Sequence, residues 1–314
     1  MESLQIKKDI LATLTYFSLF NYPLKKGEIY IFLNTCEDLN DFEESLQSLL
    51  DEAVVFKIAG FYSLVDDFYI AARRMKGNEK AAVLLKRAEK SAAIISSFPF
   101  IQGVAVSGSL SKNFADENAD IDFFIITSAN RLWIARTLLH IFKKLTFIFK
   151  MEGYFCMNYF IDDADPSIQE KNIYTAIEAS TLIPLHGTDI FKRFFEVNSW
   201  TKAYLPNKHM ATQGKEINNS WMRTLAEKLL DNRLGNRLDN FFMKWTARKW
   251  DSKTTNRQKD SKGLVLSMHT GKHFAKPIPD RFQKPLLMKY ESKLTEIHRR
   301  YELSRFFQPV AQSK

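Results

Sequence analysis

Between Gly103 and Thr127 the chain reads GVAVSGSLSKNFADENADIDFFIIT, and a few residues within it are of the right type and spacing to do chemistry together. Asp120 and Asp122 are two apart, so on a β-strand they project from one face. Two carboxylates on a buried strand face are costly unless a cation neutralises them. Oxygen-only ligands of this kind suit Mg²⁺, which usually keeps waters and shares its shell with substrate phosphates. Twelve residues before Asp120, the apolar run Val104–Val106 ends in Ser107 and the pair Gly108-Ser109. A glycine-serine turn offers a phosphate close backbone approach, N–H donors and a hydroxyl. Together the two halves describe a metal–nucleotide site.

The order of a Gly-Ser turn, a short helix and an Asp-x-Asp strand about a dozen residues on resembles the DNA polymerase beta superfamily of nucleotidyltransferases. SGSL at Ser107–Leu110 and ADIDFFII at Ala119–Ile126 carry the resemblance, which spans roughly Pro99–Asp163, about a fifth of the chain. It implies an α+β fold with a mixed-sheet nucleotidyltransferase core, an NTP substrate, and Mg²⁺ (or Mn²⁺) as cofactor. Residue by residue, Gly108 and Ser109 match the phosphate-cradling turn, and Asp120 and Asp122 match the metal ligands. Ser111 and Lys112 fall where relatives place small or basic residues. Lys112 reads equally as a phosphate partner or as a solvated turn lysine.

Transferring members usually add a third carboxylate on the next strand, which helps hold a second metal and activates the attacking hydroxyl. Here that strand is expected at Tyr154–Asp162, after a helix near Arg131–Phe149. Its period-two faces are Phe155/Met157/Tyr159/Ile161 and Cys156/Asn158/Phe160/Asp162, so Asn158 takes the central polar position. Asparagine can ligate a metal or orient a hydroxyl but cannot accept a proton. Asp162 or Asp163 would substitute only if the register turned them inward.

Four regions must position these residues. Residues 1–65 predict three helices and a hairpin, the order of a winged helix: Ile6–Phe20, Lys25–Leu33, Asp41–Ala53 capped by Asn40, then Val54–Ile58 and Phe61–Val65. The third helix carries Asp41, Glu43, Glu44, Asp51 and Glu52 and no lysine or arginine, which argues against DNA binding and for packing or a protein partner. Residues 66–98 predict a helical connector interrupted near Gly77-Asn78, with Arg73, Arg74, Lys76, Lys86, Arg87 and Lys90 mostly solvated and one or two of them placed to approach a triphosphate. The core occupies 99–200, with further helices at Ser167–Leu182 and Asp189–Val197.

Residues 201–314 form a basic, mainly helical region holding 24 Lys+Arg against 10 Asp+Glu, while the preceding 200 residues carry a net −5. Helices are expected at Ile217–Trp250 and Pro285–Phe306, separated after the first by a polar, mobile stretch at Asp251–Lys262. Leu230, Leu234, Leu238, Phe241, Phe242 and Trp245 form a stripe read as core. The positive excess fits a polyanionic acceptor, an anionic lipid head group or the nucleotide. Lys272, His273 and Lys276 read either as cleft residues or as a surface loop.

No apolar run reaches the length of a membrane span. Cys36 and Cys156 lack metal-ligand spacing and read as free thiols of a reducing cytoplasm. His269 and His273 sit four apart without an acidic context. Two functional classes follow: a nucleotidyltransferase moving an NMP to a hydroxyl or phosphate acceptor, or a catalytically weak nucleotide-binding sensor or scaffold acting through protein partners. The acceptor, the base preference and the oligomeric state leave no mark in the sequence.

Overall fold

The computed structural model describes residues 2–35, 38–146, 152–217, 221–256, 269–276 and 280–307. Within them the architecture is α+β, with helices set around a six-stranded mixed sheet and beside a separate two-stranded hairpin. No helix among the described residues is long and apolar enough to cross a membrane.

Helices α1 (Glu2–Ser18), α2 (Lys26–Ile31) and α3 (Leu39–Asp51) lead into the hairpin β1 (Phe56–Ile58) and β2 (Phe61–Ser63), in the expected order. Ile6, Ile10, Leu14 and Phe17 of α1 bury against Phe42, Leu46 and Leu49 of α3, because each set recurs at helical steps along one face. The cap of α3 is Asp38, not Asn40: its carboxylate accepts from the Asn40 N–H. An ionised oxygen there satisfies an orphan amide and meets the positive end of the helix dipole.

Helix α4 (Phe68–Ser96) runs unbroken for 29 residues, so the expected interruption at Gly77 is absent. Gly77 serves a contact instead. A Cβ there would stand 2.3 Å from the Phe114 ring, and the Gly77 carbonyl accepts from the Ala115 N–H. Arg74 is likewise not solvated. It is buried over the Tyr22 ring, 3.6 Å from its centroid, and donates to Glu28 and Asn78.

The sheet has the order β6-β3-β4-β5-β8-β7. Its strands are β3 (Ile101–Val106), β4 (Asp122–Thr127), β5 (Cys156–Asp162), β6 (Ile183–His186), β7 (His269–Thr270) and β8 (Phe274–Lys276). Among the described strands β4 and β5 alone pair in parallel, and such a pair needs a crossover, supplied by α5 (Leu132–Thr146). Alternation divides the sheet's side chains. Val104, Val106, Phe123, Ile125 and Phe160 pack with Trp133 and the second half of α4, while Ala105, Phe124, Ile126 and Ile161 pack with Phe191 and Phe194 of α7 (Thr188–Val197).

Other expectations shift. The helix expected over Ser167–Leu182 is only α6 (Ile173–Ser180), and Pro184 just beyond it lies in β6. An edge strand tolerates a residue without an N–H. The long helix over Ile217–Trp250 divides into α8 (Trp221–Leu230) and α9 (Arg233–Thr255), because the Asn232 side-chain Oδ1 accepts from the Leu234 and Gly235 amides and starts a new helix. Asp251–Thr255 are therefore helical, while Arg257–Lys262 lie outside the described residues. Of the stripe read as core, Leu230, Leu238 and Phe242 pack on it, but Leu234, Phe241 and Trp245 are more than half exposed. Helix α10 (Asp280–Phe307) contains Pro285 and returns to α1, where Tyr290 meets Tyr16 edge to face at 5.7 Å.

Candidate functional site

Above the end of β3 and the start of β4 lies a cavity of about 390 Å³. Ser107, Gly108 and Ser109 line it from the turn after β3, Asp122 and Phe124 from β4, and Tyr159 from β5. Its walls come from far along the chain: Tyr16 and Phe17 of α1, Phe20 in the turn after it, Tyr174 and Glu178 of α6, Lys276 of β8 and Phe282 of α10.

The turn is shaped by its sequence. Gly108 has φ +69°, the left-handed region that glycine enters without a Cβ penalty. A Cβ there would stand 2.8 Å from Asp122 Oδ2, so the missing side chain also leaves room for that carboxylate. The Ser107 N–H donates to the Asp122 carbonyl at 2.9 Å, extending the β3–β4 ladder to the point where turn and carboxylate meet. After Ser109 the chain makes a single 3-10 turn (Leu110–Lys112) and reverses at Asn113, φ +57°.

Lys112 folds back over this turn. Its ammonium donates to the Gly108 carbonyl at 2.9 Å and pairs with Glu178 at 2.8 Å, so it is not a solvated turn lysine. Ser111 donates to the same carbonyl at 2.9 Å and does not line the cavity. Its hydroxyl buttresses the turn.

The two aspartates separate. Asp122 opens β4 and lines the cavity; Asp120 precedes the strand, is exposed, and lies beside Gly153, whose added Cβ would sit 3.1 Å from Asp120 Oδ1. The expected single strand face does not hold, because regular β4 pairing begins only at Asp122 while Ile121 donates to the Gly153 carbonyl. Both carboxylates still act on one group. Burial, then Asp122, and to a lesser degree Asp120 push the Cys156 thiol up to about 12. Among the described residues no set of three or more His, Cys, Asp or Glu side chains clusters as a metal-ligand group.

Strand β5 departs from simple alternation at the position that mattered. Phe123 pairs with Met157 and Phe124 with Tyr159, so the register skips Asn158. One extra residue reverses the faces beyond it. Met157 and Phe160 therefore share one core while Tyr159 and Ile161 face the other. The Asn158 side chain lies outside the described residues; the β5 side chain lining the cavity is Tyr159. Asp162 is fully buried away from it, accepting from the Asn130 and Ala164 amides and held by His273 Nδ1 at 2.9 Å. Asp163 pairs with Arg193 at 2.5 Å. Of Lys272, His273 and Lys276, only Lys276 reaches the cavity.

The electrostatics of the cavity are those of opposed pairs. Arg73 pairs with Asp116 at 2.7 Å, Lys112 with Glu178, and Lys276 with Glu170. Asp122 is the fourth carboxylate against these three cations. Burial, with Glu178 and Asp122 adding negative charge, raises the Tyr174 phenol well above its usual range and keeps it a neutral donor. Its aromatic walls suit a planar or apolar group; its polar floor suits a cation-bound anion.

Sequence reasoning reached the turn and the aspartates but not Glu178, Tyr159 or Tyr174. The one signal for Tyr159 was its place on the expected third strand. Comparison with known proteins returned no matching family model, no matching curated protein and no matching solved structure.

Proposed function

We propose that this chain is a nucleotidyltransferase that moves a nucleoside monophosphate from an NTP to a hydroxyl or phosphate acceptor, built on a polymerase-beta-like core with an N-terminal winged-helix-like module. One observation carries the reading: a left-handed glycine turn and an aspartate interlock at the wall of an aromatic cavity, with Gly108 lacking the atom that would displace Asp122. The topology supports it, since the turn, a short helical segment, an acid-headed strand and a parallel third strand follow one another in chain order.

Four carboxylates against three cations make the lining a poor site for a bare triphosphate, which favours entry of the nucleotide with its cation. The residues fit that cation in part. Asp120 and Asp122 would hold Mg²⁺, with waters and phosphate oxygens completing a shell that need not be all protein. The ion, when bound, supplies neutralisation of the phosphate charge.

The chain's own groups then position the reactants. Gly108 and Ser109 present backbone and hydroxyl to the phosphates, and Lys112 offers an ammonium once Glu178 yields it. Phe17, Phe124 and Tyr174 supply flat apolar surface that excludes water and orients a ring.

A second reading is favoured by β5. Its side chain at the cavity is the phenol of Tyr159, whose pKa burial raises, and a buried phenol is a poor general base. A nucleotide-binding sensor with little turnover fits that feature. Calorimetric titration with each NTP, with and without Mg²⁺, tests what the readings share. Metal-dependent binding by the parent and its loss in Asp120→Asn/Asp122→Asn is expected; equal binding by the double variant would sink both.

A further inference from the structure

Helices α8, α9 and α5 leave apolar side chains in solvent, among them three of the α9 stripe that the sequence places in the core. Trp221, Leu225 and Leu229 recur every four residues along α8, opposite the buried Arg223, and are 50–74% exposed. Leu234, Phe241 and Trp245 continue along one flank of α9, 51–60% exposed, and α5, packed against α9, adds Ile141 and Leu145 at its end. Beside that flank runs a basic ridge of Arg233, Arg237, Lys244 and Arg248, all exposed. Lys143 and Lys144 of α5 and Lys249 of α9 add positive charge around His140.

Carboxylates are scarce here. Helix α5 carries none, and in α9 up to Trp250 the one acid, Asp239, is buried and accepts from the Ile134 N–H. The field is felt locally: burial, then Arg136, Lys143, Lys144 and Lys249, drive the His140 pKa down to about 3.

We infer that this face docks the protein on an anionic lipid surface. Leucine and isoleucine beside tryptophan suit acyl chains and the headgroup boundary rather than stacked bases, and flanking Lys and Arg reach anionic headgroups. The inference does not depend on the nucleotide site.

Flotation of the full chain with phosphatidylcholine vesicles, with and without 30 mol% phosphatidylserine, tests it at low and physiological salt. Binding only to anionic vesicles is expected, with a blue shift of tryptophan emission. The triple change Arg237→Gln/Lys244→Gln/Arg248→Gln should weaken partitioning about a hundredfold. Phe241→Ser/Trp245→Ser should weaken it at least tenfold while far-UV circular dichroism and the thermal midpoint stay unchanged. Equal partitioning to neutral vesicles, no partitioning, or an unaffected apolar variant would overturn the inference. So would a face consumed by something else: tighter capture of single-stranded RNA than of vesicles, or a dimer that the Phe241→Ser/Trp245→Ser change converts to monomer.

Discussion

Replacing Gly108 by alanine perturbs the turn at the point where it meets Asp122. An L-residue in the left-handed region costs about 1–2 kcal/mol, and Gly108 sits at φ +69°. The new Cβ would also stand 2.8 Å from Asp122 Oδ2, so the carboxylate must move, and forced contacts of this kind cost about 1–3 kcal/mol. Together these give an expected stability loss of about 2–5 kcal/mol, read as a lower urea midpoint at unchanged slope. The shift in Asp122 carries a second effect. At denaturant-free conditions, where the variant remains folded, Mg²⁺–NTP affinity measured by calorimetry should fall at least tenfold, about 1.4 kcal/mol. Ser109→Ala is the control: an intact turn, little change in stability, and weaker nucleotide binding. A Gly108→Ala protein with parental stability would refute the strain argument. One that is destabilised but binds NTP as the parent does would refute the role of the turn in the site.

Other outcomes follow from particular contacts. Gly77→Ala should destabilise by about 1–3 kcal/mol in thermal or urea unfolding despite alanine's better helix propensity, because the Phe114 ring occupies the Cβ position. Arg74→Ala should cost about 3–5 kcal/mol in the same assay, since it strands Glu28 beside a cavity left against Tyr22. Burial pushes Asp239 up to about 6. A carboxylic acid with a raised folded pKa binds its proton more tightly in the folded state. Its stabilisation is therefore complete below about pH 4 and is lost as pH rises through 6. Asn at 239 can still accept from the Ile134 N–H, so Asp239→Asn should flatten the stability–pH curve in that window by about 2–3 kcal/mol relative to the parent.

Much of the fold was legible because its signals are local. The α1 and α3 stripes, the Ala59-Gly60 turn between β1 and β2, and the acid-headed strand each lie within a few residues of the evidence for them. The misreadings share a cause in tertiary contact. Gly77 looked like a break until Phe114 occupied its vacant face, and Arg74 looked solvated until Tyr22 and Glu28 closed over it. Period-two reading placed Tyr159 with Met157, and one skipped residue in the β4–β5 register separated them. The turn and Asp122 could be found from spacing. The cavity could not, because Tyr16, Tyr174 and Phe282 come from three helices spread across the chain.

The central claim is that Asp120 and Asp122 support nucleotidyl transfer, and incubation with each α-³²P-labelled NTP and Mg²⁺ or Mn²⁺, alone and with cell extract, addresses it directly. Label transferred to an acceptor with release of pyrophosphate, and none above background from Asp120→Asn/Asp122→Asn, is the predicted result. Equal transfer by parent and double variant, or metal-dependent binding with no transfer under any of these conditions, would contradict it.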